Sequence, residues 1–195
     1  MKLVLATKNA GKVVEFRRIL EELGAMQLEV VGLDAFPEIG DIEETGTTFE
    51  ENSLLKARTI CELTGLPALA DDSGICVDAL GGAPGLYSAR YSGNGDAANN
   101  QKLLGELKDV PDEKRTAYFI CVAAFVRPDG FEKVEEGRFY GKILHEVIGA
   151  GGFGYDPLVQ PEGLNCSSAE LSAEEKDAIS HRGKAMRAIA PYIIG

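Results

Sequence analysis

The chain has 195 residues, of which 45% are hydrophobic, and its formal net charge is −11. This length and apolar content predict one domain, residues 1–195, with a full core, and no apolar run is long enough to predict a transmembrane helix. The acidic balance argues against a nucleic-acid polymer as a partner. Four cysteines without CxxC spacing indicate reduced thiols of a cytoplasmic protein rather than a disulfide or zinc framework.

The chain opens with the apolar segment KLVLAT (2–7), which is typical of a strand covered on both faces. A helix ending at Gly24 is predicted next, because apolar residues recur at helical spacing at Val13, Phe16, Leu20 and Leu23. LEVVGL (28–33) predicts a second strand. Basic side chains outnumber acidic ones in the first 18 residues, a concentration of charge that can attract a small anion.

The loop between the first strand and the first helix, TKNAGK (7–12), can hold a phosphate, because backbone amides at the start of a helix point towards it. It is not a Walker A loop, since Ala6 stands at the first glycine position and Val13 where a hydroxyl would contact a metal. Thr7 and Asn9 have two interpretations, contact with phosphate oxygens or capping of the helix.

The segment IEETGTTFEEN (42–52) is rich in acidic residues. Thr48 and Glu51 form a capping box that predicts a helix, on which most charged residues are expected to be solvated. Glu43 and Glu44 precede the turn before that helix. They are therefore the acidic residues free to reach a metal.

PALA (67–70) predicts a buried strand that ends on Asp71, Asp72 and Ser73. Carboxylates at the end of a strand lie where open α/β sheets usually bind ligands. Side chains alternate along a strand, so Asp71 and Asp72 are expected to point to opposite sides. A second strand (ICVDAL, 75–80) and a Gly-rich turn follow, which together favour a functional site over a solvated acidic turn.

The second half of the chain predicts a helix over about 95–109 and a long β-hairpin over 115–143. In the Gly-rich loop AGGFGYDP (150–157), the rings of Phe153 and Tyr155 suit stacking against the base of a nucleotide. A tight turn held by two core aromatics is an equal alternative.

Ser172 and Glu175 form another capping box, which opens a short helix that contains Lys176. His181 and Arg182 begin the last helix. Cations at the start of a helix oppose its dipole, so these two residues are not expected to stabilise the helix. A bound anion or a base carbonyl would explain their presence better.

These motifs resemble the inosine/xanthosine triphosphate pyrophosphatases, which hydrolyse non-standard purine nucleoside triphosphates. The resemblance covers nearly the whole chain and rests on T-x-N-x-x-K at 7–12, E-E-T-G-x-T-F-x-E-N at 43–52 with Lys56, A-D-D-S-G at 70–74, G-G-x-P-G at 81–85, Y-S-A-R-Y at 87–91, G-G-F-G-Y-D-P at 151–157 and S-H-R at 180–182. It implies an α/β fold with a long central mixed β-sheet flanked by helices, and two lobes with the active-site cleft between them. It also implies a Mg²⁺ cofactor and a homodimer.

The resemblance assigns Asp72 as the central carboxylate, a magnesium ligand and the general base. The second metal residue falls in the pair Glu43 and Glu44. The implied phosphate contacts are Thr7, Lys8, Asn9, Ala10, Gly11, Lys12, Lys56 and Ser73. The implied nucleoside contacts are Phe153, Gly154, Tyr155, Asp156, Lys176, His181 and Arg182.

The expected reaction converts ITP, dITP or XTP to the monophosphate and pyrophosphate. A triphosphate resists attack by water until cations neutralise its charge, which agrees with a metal, lysines and a carboxylate base. One alternative is a Maf-like pyrophosphatase, which would lack the S-H-R segment. The other is a nucleotide-binding module without turnover, which the intact Asp72, Glu43 and Lys12 argue against.

Overall fold

The computed structural model describes residues 1–25 and 27–194. Its strands are β1 (Lys2–Leu5), β2 (Glu29–Val31), β3 (Ala68–Val77), β4 (Thr116–Val126), β5 (Glu132–Ile143) and β6 (Val159–Pro161). Its helices are α1 (Ala10–Glu22), α2 (Phe49–Thr64), α3 (Asp96–Glu106), α4 (Ala173–Ile179) and α5 (His181–Ile194). The sheet is mixed, as expected: in the order β2-β1-β3-β4-β5-β6, β1 runs parallel to β2 and β3, whereas β6 is antiparallel to β5.

The chain divides into two compact units, and each has its own hydrophobic core. The first unit comprises Met1–Asp72, Cys121–Gly137 and Arg182–Gly195; the second comprises Ser73–Ile120 and Arg138–His181. None of the described helices is long and apolar enough to cross a bilayer.

In the first unit, the sheet has apolar residues on both faces, as the apolar first strand predicts. Leu3, Leu5 and Leu69 pack on one face with residues of α1 and α5. Val4 and Ala70 pack on the other face with residues of α2. Since side chains alternate along a strand, odd-numbered positions of β3 in this unit face α1 and α5, and even-numbered positions face α2.

The predicted break after PALA is wrong. β3 continues through Asp71, Asp72 and Ser73 to Val77, and only residues 78–80 turn away as a 3₁₀ helix. The two carboxylates therefore lie inside a strand and not at its carboxyl end. Polar residues are tolerated there because both are buried beside hydrogen-bonding or charged partners, as buried polar groups require.

The other predicted elements are present. α3 lies inside the predicted range 95–109, and β4 and β5 form the predicted hairpin around a turn in which Arg127 N–H donates to Phe131 O at 2.9 Å. The capping box of α4 is complete. That of α2 is half formed: Thr48 Oγ1 caps the helix, but the Glu51 carboxylate accepts from Thr47 N–H at 2.6 Å.

Candidate functional site

The predicted site residues fall into two groups, one in each unit. The first unit holds Thr7, Lys8, Asn9, Ala10, Gly11, Lys12, Glu43, Glu44, Lys56, Asp72 and Arg182, and the second holds Ser73, Phe153, Gly154, Tyr155, Asp156, Lys176 and His181. The charged cluster is our name for Glu15, Glu44, Asp71 and Asp72 together with Lys12, Lys56 and Arg182. The aromatic loop is our name for residues 151–156.

Asp71 lies on the α1/α5 face of β3, as its odd-numbered position requires, and is 1% exposed. Its Oδ2 accepts a hydrogen bond from Lys12 Nζ at 2.9 Å and lies 3.5 Å from Arg182 Nη2. Burial by itself would raise the pKa of Asp71. The positive charges of Lys12, Arg182 and Lys56 outweigh burial and hold this pKa well below its usual range, so the carboxylate is ionised.

Arg182 is fully buried between two carboxylates. It forms an ion pair with Glu15 of α1 and lies beside Asp71. Burial would lower the pKa of Arg182, but the charges of Asp71 and Glu15 raise it. The anions that explain a cation at this helix start are therefore side chains of the protein itself.

Asp72 lies on the α2 face, where its Oδ2 accepts from Asn52 Nδ2 at 3.0 Å. Asn52 and Lys56 are one helical turn apart on α2, so both face β3. Burial raises the pKa of Asp72, Lys56 opposes this effect and Glu44 adds to it. Asp72 thus combines a raised pKa with cationic and hydrogen-bonding neighbours.

Glu44 and Glu43 differ in their surroundings. Glu44 is partly buried and pairs with Lys56 Nζ at 2.5 Å, close enough to Asp72 to affect its pKa. Glu43 is exposed. Of the two, Glu44 is the one that the structure brings to the charged cluster.

In the loop at 7–12, the capping interpretation is observed for Asn9, the N-cap of α1, whereas Thr7 contacts the cap residue and not the helix. Asn9 Oδ1 accepts from Lys12 N–H at 3.1 Å, and Thr7 Oγ1 accepts from Asn9 N–H at 3.2 Å. Lys8 is exposed and pairs with Asp41 at 2.7 Å. These contacts fix the loop at the start of α1, where backbone amides favour an anion.

In the second unit, the two aromatic residues of the aromatic loop differ in burial. Tyr155 is buried in the core, and its hydroxyl donates to Ser88 O at 2.7 Å. Phe153 is only partly buried. The core interpretation therefore applies to Tyr155, whereas the Phe153 ring is the more accessible of the two.

Asp156 connects the aromatic loop to α4. Its Oδ2 accepts from Phe153 N–H at 2.9 Å and from Lys176 Nζ at 2.6 Å. Lys176 also lies over the Phe153 ring, 4.8 Å from its centre. A carboxylate, an ammonium group and a ring face thus meet in one place.

His181 does not share the surroundings of Arg182. Its ring stacks on Phe119 in the second unit, with centres 4.9 Å apart. Arg182 instead belongs to the first unit, with Glu15 and Asp71. Adjacent residues of a helix do not face the same way, which explains the separation.

Sequence reasoning did not identify Glu15 and Asn52 as partners of the candidate residues. A local signal was available for both. Glu15 is three residues from Lys12 and Asn52 is four residues from Lys56, so each lies on the same helix face as a predicted site residue.

Among residues 1–25 and 27–194, no three His, Cys, Asp or Glu side chains are grouped as a metal cage. Mg²⁺ needs no such cage, because it keeps several waters and uses one or two carboxylates. Glu44 lies close enough to Asp72 to raise the pKa of that carboxyl, and a divalent cation bound beside them would favour the ionised form of Asp72. The residues present therefore fit a magnesium ion.

Comparison with known proteins identifies the family of this chain. The model of the Ham1 family matches residues 3–192. A dITP/XTP pyrophosphatase of Streptomyces coelicolor is 55% identical over 194 residues, which cover 98% of this chain and 96% of that protein. Two solved structures are similar across nearly all of both chains. The Staphylococcus aureus Ham1 protein has a TM-score of 0.86 at 38% identity, with 99% of this chain and 98% of that chain covered.

The second, a nucleoside-triphosphatase (dITP/XTP pyrophosphatase) of Mycobacterium abscessus, has a TM-score of 0.78 at 48% identity, with 98% of this chain and 100% of that chain covered. A family model that spans nearly the whole chain, relatives of about half identical sequence and the shared fold lead to one conclusion: this chain belongs to the Ham1 family.

Proposed function

We propose that this chain hydrolyses non-standard purine nucleoside triphosphates, ITP, dITP or XTP, to the nucleoside monophosphate and pyrophosphate. The names of its relatives support this activity. The observation that carries it is the charged cluster. Two adjacent carboxylates of one strand, Asp71 and Asp72, are each held beside a lysine from a different helix.

The charged cluster suits a triphosphate better than it suits a neutral ligand. Lys12 and Lys56 bring positive charge to the two carboxylates, and the start of α1 adds backbone amides. We assign Lys12, Lys56, Ser73 and the loop at 7–12 to the phosphates. Asp71 holds Lys12 in place and is itself too occupied by cations to act as a base.

Enzymes that cleave nucleoside triphosphates generally depend on a divalent metal, and we assign Mg²⁺ to Asp72 with Glu44. When bound, Mg²⁺ neutralises triphosphate charge and acidifies water. Asn52 fixes the orientation of the Asp72 carboxylate through its hydrogen bond at 3.0 Å.

Asp72 is also the proposed general base. Burial raises the pKa of Asp72 and so makes its carboxylate a stronger proton acceptor, while the charge of Lys56 opposes this rise in part. The carboxylate takes a proton from the attacking water, whose oxygen bonds to the α-phosphorus, and the bond from that phosphorus to the α–β bridging oxygen breaks, so that pyrophosphate leaves. The water supplies the oxygen and protons that complete the two products.

We assign the aromatic loop, with Lys176 and His181, to the nucleoside. Phe153 supplies a ring for stacking, and Asp156 supplies an acceptor that can distinguish N1–H of hypoxanthine or xanthine from the bare N1 of adenine. The sequence predicts that Arg182 contacts the nucleoside, where a base carbonyl such as O6 would accept from it. Its burial between Glu15 and Asp71 supports a different role, in which it stabilises the charged cluster.

The test is incubation with ITP and Mg²⁺, with pyrophosphate and orthophosphate assayed separately. Pyrophosphate in step with IMP is expected. Orthophosphate alone would indicate a phosphatase, and binding of ITP without any product would indicate a nucleotide-binding module. Preference for another nucleotide over ITP and XTP would favour a Maf-like pyrophosphatase. Three expectations stay predictions: a homodimer, a cytoplasmic location, and a single functional domain that comprises residues 1–195.

A further inference from the structure

Gly154 of the aromatic loop is held on both sides by one helix. Its N–H donates to Asp96 Oδ2 at 2.9 Å, and its carbonyl accepts from Asn100 Nδ2 at 3.1 Å. Asp96 and Asn100 are one helical turn apart on α3, so their side chains share a face. Gly154 has φ +62, in the left-handed region that favours glycine. A flexible residue is therefore fixed by two side-chain contacts.

The same helix also holds the segment against which Tyr155 is anchored. Asn99 Nδ2 donates to Ser88 O at 3.3 Å and to Ala89 O at 3.2 Å. The Tyr155 hydroxyl donates to that same Ser88 O at 2.7 Å. The first turns of α3 thus organise both the aromatic loop and its support.

These contacts fix the position of Phe153. On its carboxyl side, the peptide of Gly154 is held by Asp96, and on its amino side, its own N–H donates to Asp156 at 2.9 Å. Asp156 is in turn held by Lys176 at 2.6 Å. The ring and the carboxylate that we assign to the base are therefore placed relative to each other by short, directional bonds.

We propose that Asp96 and Asn100 are positioning residues that determine base selectivity, by holding Gly154 so that Phe153 and Asp156 meet the purine. This proposal rests on the proposed function, since it assumes that the aromatic loop binds the base. Recognition by hydrogen bonds requires placement to within about 0.5 Å. Released from α3, Gly154 would sample several conformations, and the loop would distinguish bases less well.

Loss of these contacts should leave the binding of the phosphates unchanged. The charged cluster is built from Lys12, Lys56 and their carboxylates, and none of the contacts of Asp96 or Asn100 described above involves it. Base-free tripolyphosphate is therefore a probe for the phosphate side alone. A general loss of structure would weaken tripolyphosphate and ITP together, whereas loss of positioning affects only ITP.

The experiment compares Asp96→Ala and Asn100→Ala with wild type. We expect KM for ITP to rise roughly 5- to 30-fold with kcat nearly unchanged, as expected when one or two hydrogen bonds used in binding are lost. The residual rate on ATP should change less. The ratio of kcat/KM for ITP to kcat/KM for ATP should therefore fall. The inhibition constant of tripolyphosphate should stay within twofold of wild type.

Two further variants separate positioning from other effects. Asp96→Asn keeps an oxygen that can accept from Gly154 N–H but removes the charge, so it should restore most of the selectivity. Gln101→Ala changes an exposed neighbour on the same helix and should behave as wild type. If Asn100→Ala does not fold, the comparison of Asp96→Ala with Asp96→Asn still tests the proposal, because Asp96 is exposed.

The proposal is overturned if both alanine variants keep the wild-type ITP-to-ATP ratio, or if the inhibition constant of tripolyphosphate rises as much as KM for ITP. Failure of the proposed function gives a different result, because the wild-type protein would then produce no pyrophosphate from ITP.

Discussion

Asp71 and Asp72 are neighbours on β3, yet their carboxylates lie on opposite faces of the sheet, and their pKa values are shifted in opposite directions. Both are buried, which by itself raises the pKa of a carboxyl group. Lys12 and Arg182 reverse this effect at Asp71, whereas at Asp72 the opposing charge of Lys56 is offset in part by Glu44. This difference supports the proposed roles, in which Asp71 stabilises the charged cluster and Asp72 takes part in catalysis.

Asp72→Asn and Asp71→Asn should therefore fail in different ways. Asp72→Asn keeps the shape of the side chain but removes the proposed metal ligand and general base, so kcat should fall by roughly 10²–10⁴ with the fold intact. Asp71→Asn leaves Lys12 and Arg182 without their shared anion and should lower stability instead. Steady-state rates and urea unfolding of both variants provide the measurement.

Near-wild-type turnover by Asp72→Asn would remove it as the central carboxylate. Asp71 would then be the remaining candidate on the strand.

Glu44→Gln should raise the Mg²⁺ concentration needed for half-maximal activity by about 10- to 100-fold, the usual cost of disturbing a metal's carboxylate environment. Glu43→Gln should change it little, because Glu43 is exposed. Chelation by EDTA should abolish wild-type activity, and Mg²⁺ should restore it. The measurement is a Mg²⁺ titration of rate for each variant. An equal effect of both substitutions would contradict the choice of Glu44.

Lys12→Ala should weaken hydrolysis of ITP and XTP by similar factors, since its proposed contact is to phosphate and not to the base. Lys108→Ala, which changes an exposed lysine paired only weakly with Asp109 at 4.0 Å, is the matched control. Comparison of kcat/KM for the two substrates checks this. A changed ratio between them would place Lys12 beside the base.

Arg182→Ala should destabilise the protein by about 3–5 kcal/mol, because it leaves Glu15 as a buried charge without its partner. Glu15→Gln combined with Arg182→Met should recover part of this loss by removing both charges. Urea unfolding of the single and double variants tests the coupling. If Arg182→Ala is as stable as wild type but loses ITP selectivity, the base contact predicted from sequence is correct and the structural role is not.

ATP should be nearly inert and GTP poor, while ITP and XTP are cleaved well. Adenine sets a donor and a bare acceptor where hypoxanthine has the reverse, and a site built on hydrogen bonds rejects such a mismatch by about 10⁴–10⁵. Measured kcat/KM for the four triphosphates checks the order. Equal rates on ATP and ITP would refute the assignment of the aromatic loop and His181 to base recognition.

Much of the fold was readable from the sequence because it depends on local patterns. Helical spacing of apolar residues identified α1, and capping signals identified the starts of α2 and α4. The order of the motifs predicted the family and the activity of its members, and the comparisons confirm both. The sheet neighbours of each strand were not readable, because pairing depends on contacts far apart in sequence.

The tertiary structure decided how the candidate residues associate. Arg182 and Glu15 are 167 positions apart, and Lys12 and Asp71 are 59 apart, so no local pattern could pair them. His181 and Arg182 are adjacent in sequence, yet His181 stacks on Phe119 whereas Arg182 lies beside Asp71, because of helix geometry and packing. Sequence determines which chemical groups are available and their local conformation. The packing of helices against the two faces of the sheet determines which of those groups meet, and hence why two adjacent aspartates have different partners and pKa values shifted in opposite directions.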